Sequence, residues 1–274
     1  MDRQAWLQER RKYLGASEVA AVCGLCPFGS PLTVWASKKG LGDEIDSDAT
    51  EFGRRFEAPL LAYYAEKTKA TLTTPGVLYH PRHRWMAANL DAVANGKIDV
   101  QAKIVGTDMA HHWDGGAPDY VQCQVQWEMS VSGLQVAHIV ACIGGTEYRC
   151  VEVPRDDVMI GYLVEICSEF WQRHIVGGEM PPVDASEEAK RILARRFKSP
   201  TQGMGEAVPE IIADAREYLR LSAEIGDREK AKKLIANSLR LAIGDRAGLK
   251  WLGGYVSWKA DKNGERRLYV HEKE

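Results

Sequence analysis

Between residues 71 and 153 the hydrophobic period of this chain changes twice, and that change constrains the fold more than any other feature. Residues 71–79, 85–90 and 98–105 alternate as strands do. Residues 120–132 return to a helical period, and 136–143 and 147–153 alternate again. Gly144-Gly145 between the last two runs is a strong hairpin turn signal. Helical segments flank this block, at 17–24, 31–39 and 50–68 before it and 156–176 after it. In 50–68, Phe52, Phe56, Leu60 and Tyr63 recur at helical spacing and predict a buried stripe. Helices on both sides of a short mixed sheet predict an α/β core over residues 1–182.

Pro181-Pro182 marks a break. Residues 183–274 predict a second region: a helix over 184–198, a linker over 199–205, and a helical arm over 207–244. The arm reads as an antiparallel hairpin or a coiled coil. The tail, 249–271, predicts a β-hairpin turning at Asp261-Lys262-Asn263-Gly264.

No apolar run approaches the 18 residues of a membrane span, and the start of the chain lacks a signal-peptide core. A cytoplasmic protein with no membrane partner is expected. The six cysteines contain one C-x-x-C pair, Cys23 and Cys26, with no second pair to complete a zinc site, so reduced, buried thiols are expected. A net charge of -2 does not advertise nucleic-acid binding and does not exclude it, because cations can gather on one face.

The chemistry gathers around Asn89-Leu90-Asp91 and Val100-Gln101-Ala102-Lys103. Alternation on a strand puts Gln101 and Lys103 on one face and Val100 and Ala102 on the other. Hairpin pairing would bring Asp91 beside Gln101. A carboxylate, a second oxygen and a lysine on one surface are what Mg²⁺-assisted phosphodiester hydrolysis needs. Alone, the D-x9-Q-x-K pattern is weak.

The flanking order is more specific. Arg10, Gly15-Ala16-Ser17-Glu18, Ser30-Pro31-Leu32, Trp35, Lys38-Lys39-Gly40, Gly53-x-x-x-Glu57, Asn89-Leu90-Asp91, Q-x-K and Gln124-x-Gln126 run in sequence to Gly133. Over about residues 6–156 this series resembles the YqaJ-type viral recombinases and lambda exonuclease, within the PD-(D/E)xK nuclease superfamily. The resemblance implies a restriction-endonuclease-like α/β core and a Mg²⁺-dependent exonuclease, with Mn²⁺ able to substitute. Such an enzyme degrades double-stranded DNA ends 5′ to 3′, leaves 3′ single strands for recombination, and can form a homotrimeric ring or work with a single-strand annealing protein. By position, Asp91 is the implied central metal ligand, Lys103 the catalytic lysine, and Glu57 the helix-borne acid beside the metal. Gln101 is a further ligand, and the Val100 carbonyl another from strand position only. Gln124 and Gln126 match the family's glutamine motif, with Gln126 placed among the DNA contacts. Arg10 and Ser17 fall where relatives hold a terminal 5′-phosphate, and Ser17 at a helix start is also a plausible anion site on physical grounds.

Gln101 departs from the family, which has glutamate there. An amide keeps a carbonyl oxygen for a metal but loses a charge and cannot act as a base. Natural variation (Mrr-like nucleases use Q-x-K), an engineered exchange and natural loss of activity all stand at this point. A DNA-end binder that does not cut is the alternative function.

Each residue also has a plainer reading. Asp91 fits a turn, Lys103 and Arg10 solvated charges, Glu57 a helix-surface acid, Gln124 a capping amide, and Ser17 a helix cap. His111-His112 is read as loop, because adjacent side chains on an extended segment diverge. In the tail, Lys250, Trp251, Tyr255, Trp258, Lys259, Arg266, Arg267 and Tyr269 suit either base stacking or packing on the arm.

Overall fold

The computed structural model describes residues 3–42, 48–199 and 203–272, in two compact units divided after Pro200. The first unit begins with α1 (Arg3–Arg10), β1 (Leu14–Gly15), α2 (Ala16–Val22), α3 (Pro31–Lys38) and α4 (Asp48–Thr68). Ser30 starts α3: its hydroxyl accepts from the Thr33 N–H while Thr33 bonds back to the Ser30 main chain. Short strands β2 (Leu72–Thr73), β3 (Leu78–Tyr79), β4 (Met86–Ala88) and β5 (Ala92–Ala94) lead to the long β6 (Ile98–Val105). A 3₁₀ turn (Thr107–Trp113), α5 (Asp119–Ser132), β7 (Val136–Ile143), β8 (Glu147–Pro154) and α6 (Asp157–Phe170) follow. A π-helical extension (Trp171–Val176) and α7 (Glu187–Arg196) complete the unit.

The main sheet has the order β2-β5-β6-β7-β8, with β6 and β7 parallel and the other pairs antiparallel. The parallel pair requires a crossover, and α5 supplies it. Side-chain parity then sorts the two faces. Val100, Ala102 and Val140 pack under Leu60, Leu61 and Tyr64 of α4. Ala137, Ile139 and Ala141 pack against Val121, Val125 and Met129 of α5. A second small sheet, β1-β4-β3, ties the amino-terminal helices to the same body, with Leu14 opposite Met86.

Five expectations change. The strand predicted over 71–79 is two short strands in different sheets. The buried side of α4 is Leu60, Leu61 and Tyr64, whereas Phe52, Phe56 and Tyr63 are exposed. The first unit runs past 182, because Ala189 and Ile192 of α7 share the core of Trp35. His111 and His112 lie on the 3₁₀ turn with ring centroids 4.1 Å apart, so they do not diverge. All six cysteines are free, and Cys150 is exposed, not buried.

In the second unit, residues 209–243 form one continuous 35-residue helix, α8 (Pro209–Ile243), and not a hairpin. The tail is a three-stranded antiparallel sheet of β9 (Gly248–Trp251), β10 (Gly254–Ala260) and β11 (Arg266–Glu272), one strand more than expected. The predicted turn joins β10 to β11, with Asp261 accepting from the N–H of Asn263 and Glu265. Arg266 lies 3.8 Å from the Trp258 ring centroid and bonds the Gly244 and Arg246 carbonyls, so this cation packs and is not a solvated charge. The linker expected at 199–205 lies partly outside the described residues. Among the described residues no helix is long and apolar enough to cross a membrane.

Candidate nuclease site

The site forms where β5 stops pairing with β6. Ala92 is opposite Val100, so Asp91, one residue earlier, meets the next residues of β6. Asp91 Oδ2 accepts from the Gln101 side-chain amide and, at 2.9 Å, from the Ala102 main-chain N–H. The predicted meeting of Asp91 and Gln101 is therefore present. The peptide facing Asp91 is that of Ala102, whose carbonyl also lies 3.4 Å from Gln101 Nε2. The Val100 carbonyl, offered as a ligand from strand position, lies instead where β6 is paired on both sides, to Ala92 and His138.

Helix α5 covers the same face of β6. Gln124 Oε1 accepts from Lys103 Nζ at 2.8 Å, and Gln124 Nε2 donates to Gln101 Oε1 at 2.8 Å and Glu128 Oε1 at 2.9 Å. One amide thus links the lysine, the glutamine and a buried acid. Glu57 approaches from α4. Burial raises its carboxyl above the usual range, and the Lys103 charge opposes that rise.

The charges here are not balanced. Burial, reinforced by the charge of Glu57, pushes Asp91 up to about 6. Behind it lie two acids that the sequence reading passed over. Asp99 and Glu128 are both fully buried. No other group donates to either Asp99 oxygen or to Glu128 Oε2, and the two carboxyls face each other, with Glu128 hydrogen-bonding Asp99. Burial pushes Asp99 up to about 7, and burial with the charges of Asp99 and Asp91 pushes Glu128 well above the carboxylate range. Two signals pointed to them. Asp99 has the parity of Gln101 and Lys103, and Glu128 lies one helical turn after Gln124.

Gln126 points elsewhere. It is buried, donates to the Pro154 carbonyl at 2.8 Å and accepts from the Asp156 N–H at 2.9 Å. Both ends of its amide are occupied by main chain, so it staples α5 to the β8–α6 junction and is not presented to DNA. Arg10 and Ser17 do meet: Arg10 Nη2 donates to Ser17 Oγ at 3.1 Å, and Ser17 is exposed. Beneath them Glu18 accepts from buried Lys38 at 2.6 Å and from the Gly15 N–H at 2.8 Å, and Lys38 also donates to the Arg10 carbonyl at 2.8 Å.

A divalent cation fits this donor set. Two carboxylates stand beside the Ala102 carbonyl, all hard ligands, and burial has made their negative charge costly. Gln101 turns its N–H to Asp91 and its oxygen to Gln124, so its oxygen joins the set only if the amide turns over. Among the described residues no group of three or more His, Cys, Asp or Glu is placed to hold a metal. The set therefore rests on Asp91 and Glu57 with the Ala102 carbonyl, the sparse kind of protein ligation that Mg²⁺ accepts while keeping its waters.

The family model of the YqaJ-like viral recombinase domain matches residues 5–135. Asp91, Glu57, Gln101, Lys103 and Gln124 all lie within that match. The chain is 27% identical over 271 residues to the uncharacterized protein YqaJ of Bacillus subtilis (strain 168), covering 94% of this chain and 84% of that one. The alkaline exonuclease LHK-Exo of Laribacter hongkongensis shares the fold, with TM-score 0.55 and 21% identity over 64% of this chain and 93% of its own. The structure of LHK-Exo in complex with dAMP aligns with TM-score 0.51 and 20% identity, covering 65% and 100%. The YqaJ-like domain thus has the lambda-exonuclease-like fold that its motif order implied.

Proposed function

We propose that this chain is a Mg²⁺-dependent nuclease acting on double-stranded DNA ends, degrading 5′ to 3′ and leaving 3′ single strands for recombination. The observation that carries the reading is the meeting of Asp91, Glu57, Gln101 and Lys103 around the end of β5, linked through Gln124. Asp91 and Glu57 would hold the cation with the Ala102 carbonyl as a neutral ligand, and Gln101 would add its oxygen on turning its amide over. When bound, the cation neutralises phosphate charge and acidifies water. Lys103, held by Gln124, faces the scissile phosphate and offsets the negative charge that grows there. Gln101 cannot accept a proton, so it would serve the site through its hydrogen bonds to Asp91 and Gln124 and not as a base. Arg10 and Ser17 are assigned to the terminal phosphate of the cut strand. Polarity and tail formation rest on the resemblance to the exonuclease family.

The test is digestion of end-labelled linear duplex with Mg²⁺ or with EDTA, using the chain as it stands, its Gln101→Glu form and a Lys103→Ala control. Cleavage that needs Mg²⁺ and falls on the order of 10²–10³-fold in the control supports the reading. Cleavage by the Gln101→Glu form alone would mean that this sequence is a disabled nuclease. Binding to duplex ends with no cleavage by either form would replace the enzyme with an end-binding protein.

A further inference from the structure

The mispredicted face of α4 leads to a second site. Phe52 and Phe56 were expected in the core, yet they are 52% and 43% exposed. Their rings stack on each other, with centroids 4.1 Å apart and planes inclined by 27°. They line a groove of about 700 Å³ together with Ile104 and Val105 at the end of β6, Gly106, Gly144, Gly145 and the acid Asp48. A smaller hollow of about 270 Å³ continues it past Phe56 toward Tyr63 and Tyr148.

Hydrophobic side chains on a surface helix cost little when scattered, but a stacked pair lining a groove has a definite shape. Gly144 and Gly145 take left-handed φ values of 60° and 77° in the β7–β8 turn, where other residues are strained. With Gly106 they give part of the groove lining no side chains. A planar aromatic ligand can stack on the exposed rings.

The position selects among planar ligands. Phe56 is next to Glu57 on α4, and Ile104 follows Lys103 on β6 with its side chain on the α4 face of the strand. The groove thus lies on the α4 side of β6, beside the helix that carries the acid of the site. Arg55 on the same helix is held by Glu51 at 3.0 Å.

We propose that this groove binds unpaired nucleobases, with Phe52 and Phe56 as a stacking platform for the strand next to the scissile phosphate. The proposal rests on the nuclease reading of the neighbouring site and adds to it a place for the bases. Base–aromatic stacking tolerates any sequence, as an enzyme moving along DNA requires.

The test uses the full chain in Ca²⁺ and a duplex bearing a short single-stranded tail with 2-aminopurine in it. Stacking on a ring quenches that base. The wild-type chain should quench it. F52A/F56A should lose the quenching and bind the tailed duplex about tenfold or more weakly. F52Y/F56Y, which keeps the rings, should restore both. Because both side chains are exposed, the alanine form keeps the core contacts of α4. Equal quenching and affinity in F52A/F56A would overturn the proposal. So would a fall in solution molar mass on that substitution with DNA affinity unchanged, which would make the groove an interface between copies. The two readings separate cleanly. Quenching without Mg²⁺-dependent cleavage keeps the base site and removes the nuclease, while cleavage without quenching does the reverse.

Discussion

Two charged clusters sit within residues 5–135, and they are built in opposite ways. Around Glu18, every charge has its partner: Lys38, buried on its side-chain surface to 1% exposure, holds both Glu18 oxygens, and Glu18 also holds the Gly15 N–H. Burial alone would drive the Lys38 ammonium far down, and the adjacent Glu18 carboxylate holds it up. Around Asp91, three buried acids crowd one another and Lys103 is the cation that opposes them. A closed cluster fixes the fold. An open one is kept unbalanced because something that arrives later, a cation and a phosphate, completes it.

The largest effect should come from opening the closed cluster. Lys38→Met removes one partner of a buried pair and strands Glu18, at a cost of about 3–5 kcal/mol. Urea titration of the variant should show the loss, and adding Glu18→Gln on top should recover part of it. A stability change below about 1 kcal/mol would mean that water reaches Glu18 and that the two clusters are not different in kind.

Closing the open cluster should work the other way. Asp91 holds its proton more tightly in the folded chain, at about 6, than an exposed aspartate does, at 3.8. A raised carboxyl opposes folding increasingly as pH climbs from about 4 to 6, and the cost is complete above that window. Asp91→Asn removes the charge, so it should raise stability at pH 8 by about 1–3 kcal/mol and abolish cleavage. The gain should vanish at pH 4. Melting curves at the two pH values decide, since equal stability at pH 8 would show that Asp91 is not under electrostatic strain.

How much of this was legible beforehand follows from which patterns are local. Alternation and helical period placed β6, α5, β7 and β8 within a residue or two, and parity put Gln101 and Lys103 on one face. The same parity reaches Asp99, and helical spacing reaches Glu128, so the buried acids were readable but not read. Gln126 shows the converse: two positions from Gln124 is about 200° around a helix, which sends it away from the site. The α4 stripe failed for a different reason. Only the stretch around Leu60, Leu61 and Tyr64 meets the sheet, and periodicity reports that a helix has an apolar side without reporting where a sheet touches it. The single α8 helix was likewise beyond local pattern, because a polar stretch at Gly226–Lys233 marks a turn or an exposed middle equally well.

Gln101 tests how far the imbalance can go. Its Nε2 donates to Asp91 and its Oε1 accepts from Gln124, which lets a neutral side chain pass between two polar groups. Glutamate there would set a second carboxylate against Asp91 with no proton between them. Gln101→Glu should therefore bind Mg²⁺ about tenfold more tightly by calorimetry and be less stable in EDTA than the parent, a difference of about 1–2 kcal/mol. Equal stability in EDTA would mean that Lys103 already compensates a further charge.

The smallest effect separates charge from geometry at Glu128. Burial and the charges of Asp99 and Asp91 raise this carboxyl well above the carboxylate range, and Glu128→Gln fixes the neutral form in the same shape. The new amide oxygen can still accept from Gln124, and its N–H can donate to Asp99 in place of the Glu128 carboxyl. Stability at pH 8 should therefore change by less than about 1 kcal/mol. Cleavage should survive, because Gln124 still turns its oxygen to Lys103. Glu128→Leu removes the acceptor as well and frees the Gln124 amide to rotate. Its kcat should fall while DNA affinity stays put. If both variants cut equally well, the orientation of Gln124 is fixed by Gln101 and Lys103 alone, and the buried acids belong to the fold rather than to the site.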